Sequence, residues 1–224
     1  MSLERPKLFV VIPAAGVGRR FKADKPKQYQ EIFGQTVLEI TLDKLRALNA
    51  DAMVIAINPK DQEFDSISSD DVVVVEGGED RRSSVLSALS ALEGDEQDLV
   101  LVHDAVRPCV RIEQMSALIE IASGDPVGGL LAVPVTDTLK RVAEGRVLQT
   151  EDRSTLWQAQ TPQVFRMGLL KQALQNFSEA TDEASAVEAL GLQPRICLGR
   201  TDNIKITLEE DLTMARLILA GESM

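Results

Sequence analysis

Cysteine is scarce in this chain, positive charge is outnumbered by negative, and long apolar runs are missing. It holds two cysteines, Cys109 and Cys197, too few for a disulfide framework, and both read as reduced thiols. No stretch approaches the roughly 18 consecutive apolar residues of a membrane-spanning helix, so no membrane partner is expected. Residues 1–7 (MSLERPK) show no apolar signal segment or cleavage site, which makes a cytoplasmic location the expectation. Lys and Arg number 24 against 35 Asp and Glu, a formal net charge of −11. Such a chain is ill suited to wrapping a nucleic-acid backbone, which wants a stripe of cations. A small nucleotide is not excluded, because a phosphate site needs only a few local cations and oriented backbone N–H groups. Internal repeats, low-complexity segments and interdomain linkers are missing too. The 224 residues, 44% of them hydrophobic, suit one domain over 1–224 with a real core.

What is present is an alternation of short apolar runs and helical patterns. Residues 8–12 (LFVVI) are continuously apolar, as a buried parallel strand should be. Strands are also expected over 52–57, 72–75, 99–102, 129–135 and 195–198. Helices are expected over 36–48, 84–92, 115–121, 168–177, 181–190 and 208–219. The fold class is therefore α/β, a Rossmann-like, mostly parallel sheet flanked by helices. The rhythm breaks at 137–155, where 138–142 and 146–150 flank Ala143-Glu144-Gly145. That segment reads as a polar β-hairpin, an arm inserted in the domain rather than a core element.

Two loops carry chemistry. The first strand runs into Pro13-Ala14-Ala15-Gly16-Val17-Gly18-Arg19-Arg20-Phe21, with Lys25 and Lys27 shortly after. Ligands in open α/β sheets sit at the carboxyl ends of strands, and small residues there let them approach the backbone. Gly16 and Gly18 can offer N–H groups to phosphate oxygens. The bland alternative is a tight turn with solvated charges. A P-loop is demoted because Gly18 is followed by Arg19-Arg20, and a dinucleotide fingerprint because Phe21 stands where a small residue is needed. The strand 99–102 ends in His103-Asp104-Ala105-Val106-Arg107-Pro108. Asp104 could take Mg²⁺ or a substrate hydroxyl, and Arg107 could grip a phosphate or pair with Asp104. The lone histidine, His103, reads as structural. Cys109 has no base marked for it and is not read as a nucleophile.

P-A-A-G-V-G-R-R at 13–20, P-K-Q-Y at 26–29 and V-H-D-A-V-R-P at 102–108 resemble the 2-C-methyl-D-erythritol 4-phosphate cytidylyltransferase family. So do G-G-E-D-R at 77–81, P-V-T-D-T at 134–138, D-R at 152–153, Q-T-P-Q at 160–163, T-D-E-A-S at 181–185 and D-N-I-K at 202–205. The resemblance implies a nucleotidyltransferase-type fold and transfer of CMP from CTP to 2-C-methyl-D-erythritol 4-phosphate. It makes Arg20 and Lys27 the catalytic cations. Pro13, Ala14, Ala15, Gly16, Gly18, Gly78, Glu79, Ser84, Asp104 and Ala105 would contact CTP. Glu79 stands where the family is expected to have an aspartate. Asp104 would also border the second substrate, which Arg107, Thr138, Arg153, Thr161 and Lys205 would position. Thr138 and Arg153 would come from a neighbouring subunit, which makes the hairpin a dimerisation arm of a homodimer. Mg²⁺ or another divalent cation is the implied cofactor, held mainly by CTP phosphates rather than by direct protein ligands. A ribitol 5-phosphate cytidylyltransferase and a non-catalytic nucleotide-binding sensor are the alternatives; a uridylyl- or guanylyltransferase is a more distant one. T-D-E-A-S keeps a structural reading, with Thr181 as helix N-cap and Asp182 and Glu183 in the first turn. Trp157 is expected in the core or in dimer packing.

Overall fold

The structure, a computed structural model, describes residues 5–16, 25–64, 67 and 70–222. Strands β1 (Leu8–Pro13), β4 (Ala52–Ile57), β5 (Val73–Glu76), β6 (Leu99–Val102), β7 (Gly128–Pro134), β10 (Trp157–Arg166) and β11 (Arg195–Leu198) form one sheet in the order β11-β7-β10-β6-β1-β4-β5. β1 pairs in parallel with β4 and β6, β4 with β5, and β7 with β11. Side chains alternate across a strand, and here both faces are covered. Val10 and Ile12 therefore pack under α1 (Val37–Arg46) and α3 (Ile112–Ser123). Phe9 and Val11 pack under α2 (Arg81–Ser90), α4 (Met167–Asn176) and α5 (Glu183–Ala189). That double burial is why the strand is apolar throughout rather than alternating. The final helix α6 (Glu209–Glu222) buries Leu212 and Ala215 in a third cluster with Ile32, Val106, Cys109 and Ile206, beside the loop that follows β6.

The chief departure from expectation is β10, which the sequence did not announce. Its segment WQAQTPQVFR carries three glutamines and a proline, which masks the strand period. It runs antiparallel between β6 and β7, so the sheet is mixed there. A register shift between Ala159 and Gln163 takes up Pro162, as bulges do. The buried polar groups are satisfied: Gln160 Nε2 donates to the Arg200 carbonyl at 2.8 Å and Gln163 Nε2 to Asp182 Oδ2 at 2.8 Å. Trp157, at the start of β10, is 41% exposed, so it is not a core residue of the single chain. A small hairpin of β2 (Glu31–Ile32) and β3 (Gln35–Thr36) was also not expected.

Helix starts follow capping chemistry. Thr36 and Glu39 form a capping box on α1, and Asp80 and Ser83 one on α2. On α5 the cap is Asp182, boxed with Ser185, and not Thr181 as expected. The hairpin is β8 (Lys140–Ala143) and β9 (Arg146–Thr150), every residue of it exposed. Glu144 and Gly145 make its turn with φ of 49° and 74°, the left-handed pair that matches strand twist. Among the described residues no helix is long and apolar enough to cross a membrane.

Candidate active site

The carboxyl ends of β1, β4 and β6 meet the loop entering α2, and a cavity of about 180 Å³ opens there. One wall is Pro13, Ala14, Ala15 and Gly16, continuing straight from β1. Ala14 N–H donates to the Ala56 carbonyl at 2.8 Å, and Gln28 Nε2 to the Ala14 carbonyl at 3.3 Å, so the loop is tied from both sides. The facing wall is Gly78, Glu79, Asp80, Arg81 and Ser84 at the start of α2. Gly77 lets these walls come together: a Cβ on it would lie 2.4 Å from Ala15 Cβ and 3.1 Å from the Ile57 carbonyl oxygen. Asp80 accepts the Ser83 N–H at 2.7 Å, so this helix end is already capped from within.

The cavity floor is Asp104, Ala105 and Val106, just past β6, with Lys27 and Lys205 also on its lining. Asp104 is 5% exposed and surrounded by cations. Its Oδ1 is 3.0 Å from Arg81 Nε; its Oδ2 is 2.9 Å from Lys205 Nζ and 3.5 Å from Arg107 Nε. Burial raises its pKa, but Arg81, Lys205 and Arg107 outweigh burial and hold the carboxyl well below the usual carboxylate range. Asp104 N–H donates to Thr161 Oγ1 at 3.1 Å, which fixes the loop to β10.

Arg81 is the residue that sequence reasoning passed over. Its guanidinium reaches Asp104 on one side and Glu183 on the other, with Nη1–Oε1 at 2.6 Å and Nη2–Oε2 at 3.0 Å. Burial would lower its pKa, yet Glu183 and Asp104 together raise it above the ordinary arginine value. The signal was Arg81 closing the G-G-E-D-R run, but its partner lies 102 positions away. Glu183 is fully buried, so it does more than favour a helix dipole.

The other expected residues divide cleanly. Arg107 does not line the cavity. It turns inward and donates to the Asn203 carbonyl at 2.6 Å, and burial lowers its pKa. Asn203, fully buried, donates to the Thr161 carbonyl at 2.9 Å. Ile206 N–H donates to the Val106 carbonyl at 2.9 Å and Lys27 Nζ to the Ile206 carbonyl at 3.0 Å, so the loop bearing Lys205 is sewn to the cavity floor. Thr161 lies beneath Asp104 rather than on the lining. Thr138 and Arg153 are not brought to this cavity; both are exposed, and Arg153 Nη1 donates to the Thr136 carbonyl. Gly18 and Arg20 lie outside the described residues. His103 is fully buried with Nε2 3.2 Å from the Arg107 carbonyl, and burial pushes its pKa down to about 4, so it is neutral and structural at pH 7. Burial pushes the Cys109 thiol up to about 12, which leaves it protonated and unreactive.

A family model described as 2-C-methyl-D-erythritol 4-phosphate cytidylyltransferase matches residues 8–221. Proteins of that name from Ectopseudomonas mendocina and Hahella chejuensis are 48% and 46% identical, covering 94% and 97% of this chain and 94% and 95% of their own. A crystal structure of a 4-diphosphocytidyl-2C-methyl-D-erythritol synthase superposes with a TM-score of 0.85 at 42% identity, covering 96% of this chain and 98% of that one.

Proposed function

The chain belongs to the 2-C-methyl-D-erythritol 4-phosphate cytidylyltransferase family, and from that premise we infer the reaction it runs. It transfers CMP from CTP to 2-C-methyl-D-erythritol 4-phosphate. A phosphate oxygen of the polyol phosphate attacks the α-phosphorus of CTP, the bond to the β-phosphate breaks, and pyrophosphate leaves with 4-diphosphocytidyl-2-C-methyl-D-erythritol as product. The observation that carries the reading is one cavity, at the carboxyl edge of the sheet, lined by 13–16, Lys27, 78–81, Ser84, Asp104 and Lys205 in a chain of this family.

Phosphoryl chemistry of this kind asks the protein for positioning and charge more than for bond-making. The base and ribose would lie between the backbone of Pro13–Gly16, extended by Gly18, and the Gly78, Glu79 and Ser84 wall. Cytosine would be chosen because donors and acceptors fit its 4-amino and 2-keto groups, and the 4-keto group of uracil would leave the partner of the amino group unpaired. Glu79 is exposed at the wall, so its difference from aspartate is tolerable if its backbone makes the contact. Arg20 and Lys27 would neutralise charge shared between the α-phosphate and the departing pyrophosphate. Asp104, with Ala105, would sit where nucleotide and polyol phosphate meet, and Lys205 would hold the polyol phosphate. Arg107 and Thr161 would act from behind by fixing Asp104 and the 203–206 loop. Thr138 and Arg153 would serve the cavity of a second copy through the hairpin arm, giving a homodimer with Trp157 near the contact. That is the use we assign to an arm that stands exposed on both faces. A divalent cation such as Mg²⁺ would arrive with the nucleotide. The described residues offer no group of three metal-ligating side chains, and Asp104 is already contacted by three cations, so phosphate oxygens are the donors that suit a hard ion. With CTP as substrate, the working location is the cytoplasm.

The test is CTP-dependent pyrophosphate release across a panel of polyol phosphates. The methylerythritol phosphate should give the highest kcat/KM. A preference for ribitol 5-phosphate, or saturable CTP binding without turnover, rejects the assignment.

A further inference from the structure

Glu183 has no part in the reaction as described, yet it is buried more deeply than Asp104, at 0% against 5% exposure. Its two oxygens take both Nη groups of Arg81, which leaves that side chain only Nε for Asp104. A buried ion pair is a weak source of stability, since an apolar pair of similar volume does as well or better. Stability alone therefore does not account for a carboxylate at this position. The helix carrying it is also fastened to the strand beneath the cavity. Gln163 Oε1 accepts the Ala184 N–H at 2.8 Å while Gln163 Nε2 donates to Asp182. Two residues earlier on the same strand, Thr161 Oγ1 accepts the N–H of Asp104. Glu183 and Asp104 are thus held to one strand, and Arg81 spans the gap between them.

We propose that Glu183 is a positioning residue of the transfer reaction: by filling the fork of Arg81 it confines that guanidinium to a single contact with Asp104 and leaves Asp104 Oδ2 to Lys205 and Arg107. The proposal rests on the reading that Asp104 and Lys205 serve CMP transfer. Without the Glu183 charge, both Nη groups are free to turn onto Asp104, because a carboxylate accepts a guanidinium in pairs. Arg81 then competes with Lys205 for Oδ2, and the polyol phosphate loses its alignment with the α-phosphorus. The nucleotide wall at Pro13–Gly16 is tied through Ala56 and Gln28 and is not disturbed.

Glu183→Gln, Arg81→Gln and the double variant are assayed by pyrophosphate release, with thermal melting alongside. Glu183→Gln is expected to lower kcat/KM for the polyol phosphate about 10- to 100-fold and to leave the KM for CTP within about threefold, the cost of a small misalignment. In the Arg81→Gln background it should add nothing further, because it acts only through Arg81. Glu183→Asp, shorter but still charged, should retain more activity than Glu183→Gln. A Glu183→Gln enzyme that melts lower but turns over with wild-type constants overturns the proposal, as do losses that multiply in the double variant. If Glu183→Gln does not fold, Glu183→Asp decides: a reduced kcat/KM for the polyol phosphate at unchanged CTP KM supports the role, and wild-type constants reject it. A wild-type chain that releases no pyrophosphate is a different result, and it removes the functional reading together with the role built on it.

Discussion

Lys27 faces the cavity while its ammonium donates to the Ile206 carbonyl, so its charge is held in place by the loop next to Lys205. Lys27→Met keeps most of the bulk and removes the charge. It should lower kcat by about 10²- to 10³-fold, as loss of one preorganised stabilising group does, in single-turnover pyrophosphate release. His103 makes a separate prediction about stability. Its pKa is near 6.5 when unfolded and about 4 in the native chain, where burial opposes the charge. Between those values the unfolded chain binds the proton and the native chain does not, so stability falls as pH falls. The loss should be about 2 kcal/mol from pH 7 to pH 5. Below that window the native carboxylate of Asp104, whose pKa is lowered, adds a further loss as acid protonates the unfolded chain first. Urea unfolding at pH 7 and pH 5 checks this, and His103→Gln should flatten the difference.

At the scale of elements, β10 joins core to site. Phe165 on it is fully buried against the α4 and α5 side, while Thr161, a few residues earlier, supports Asp104. Phe165→Ala should cost about 3 to 5 kcal/mol in urea unfolding, the range for emptying a large aromatic site in a core. β1 and β6 were legible in the sequence because both faces are buried and the runs LFVVI and LVLV are unbroken. β10 was not, because Gln158, Gln160, Gln163 and Pro162 erase the pattern, and the partners that satisfy the buried glutamines come from distant loops. The same limit applied to the site. The glycine loop and the H-D-A-V-R-P run could be read locally, whereas Arg81 and Glu183 acquire meaning only once α2 and α5 are brought to one face of the sheet. Thr181 lost its expected cap role to Asp182 for a local reason: Ser185 sits at the third helical position only when the cap is Asp182.

At the scale of the whole molecule, the question is where Thr138 and Arg153 act, since they stand away from the cavity of their own chain. If each site joins one copy's cavity to the other's arm, Lys27→Met and Arg153→Ala chains should complement on mixing. Random pairing makes half the dimers mixed, and each mixed dimer has one intact site. The mixture should therefore regain about a quarter of wild-type activity, where either variant alone has almost none. No recovery after subunit exchange, with both parents inactive, would mean that each chain completes its own site. The placing of β10 also bears on how the molecule is made. β6 ends at Val102, but the neighbour that pairs with it begins only at Trp157. At ribosomal speeds of about 5 to 20 residues per second, that interval lasts roughly 3 to 11 seconds. For that time the nascent chain carries an apolar strand with an open side, a template for any other unfinished polypeptide. Translational pausing within this interval would lengthen that exposure, so the yield of folded enzyme should depend on how quickly its middle third is translated.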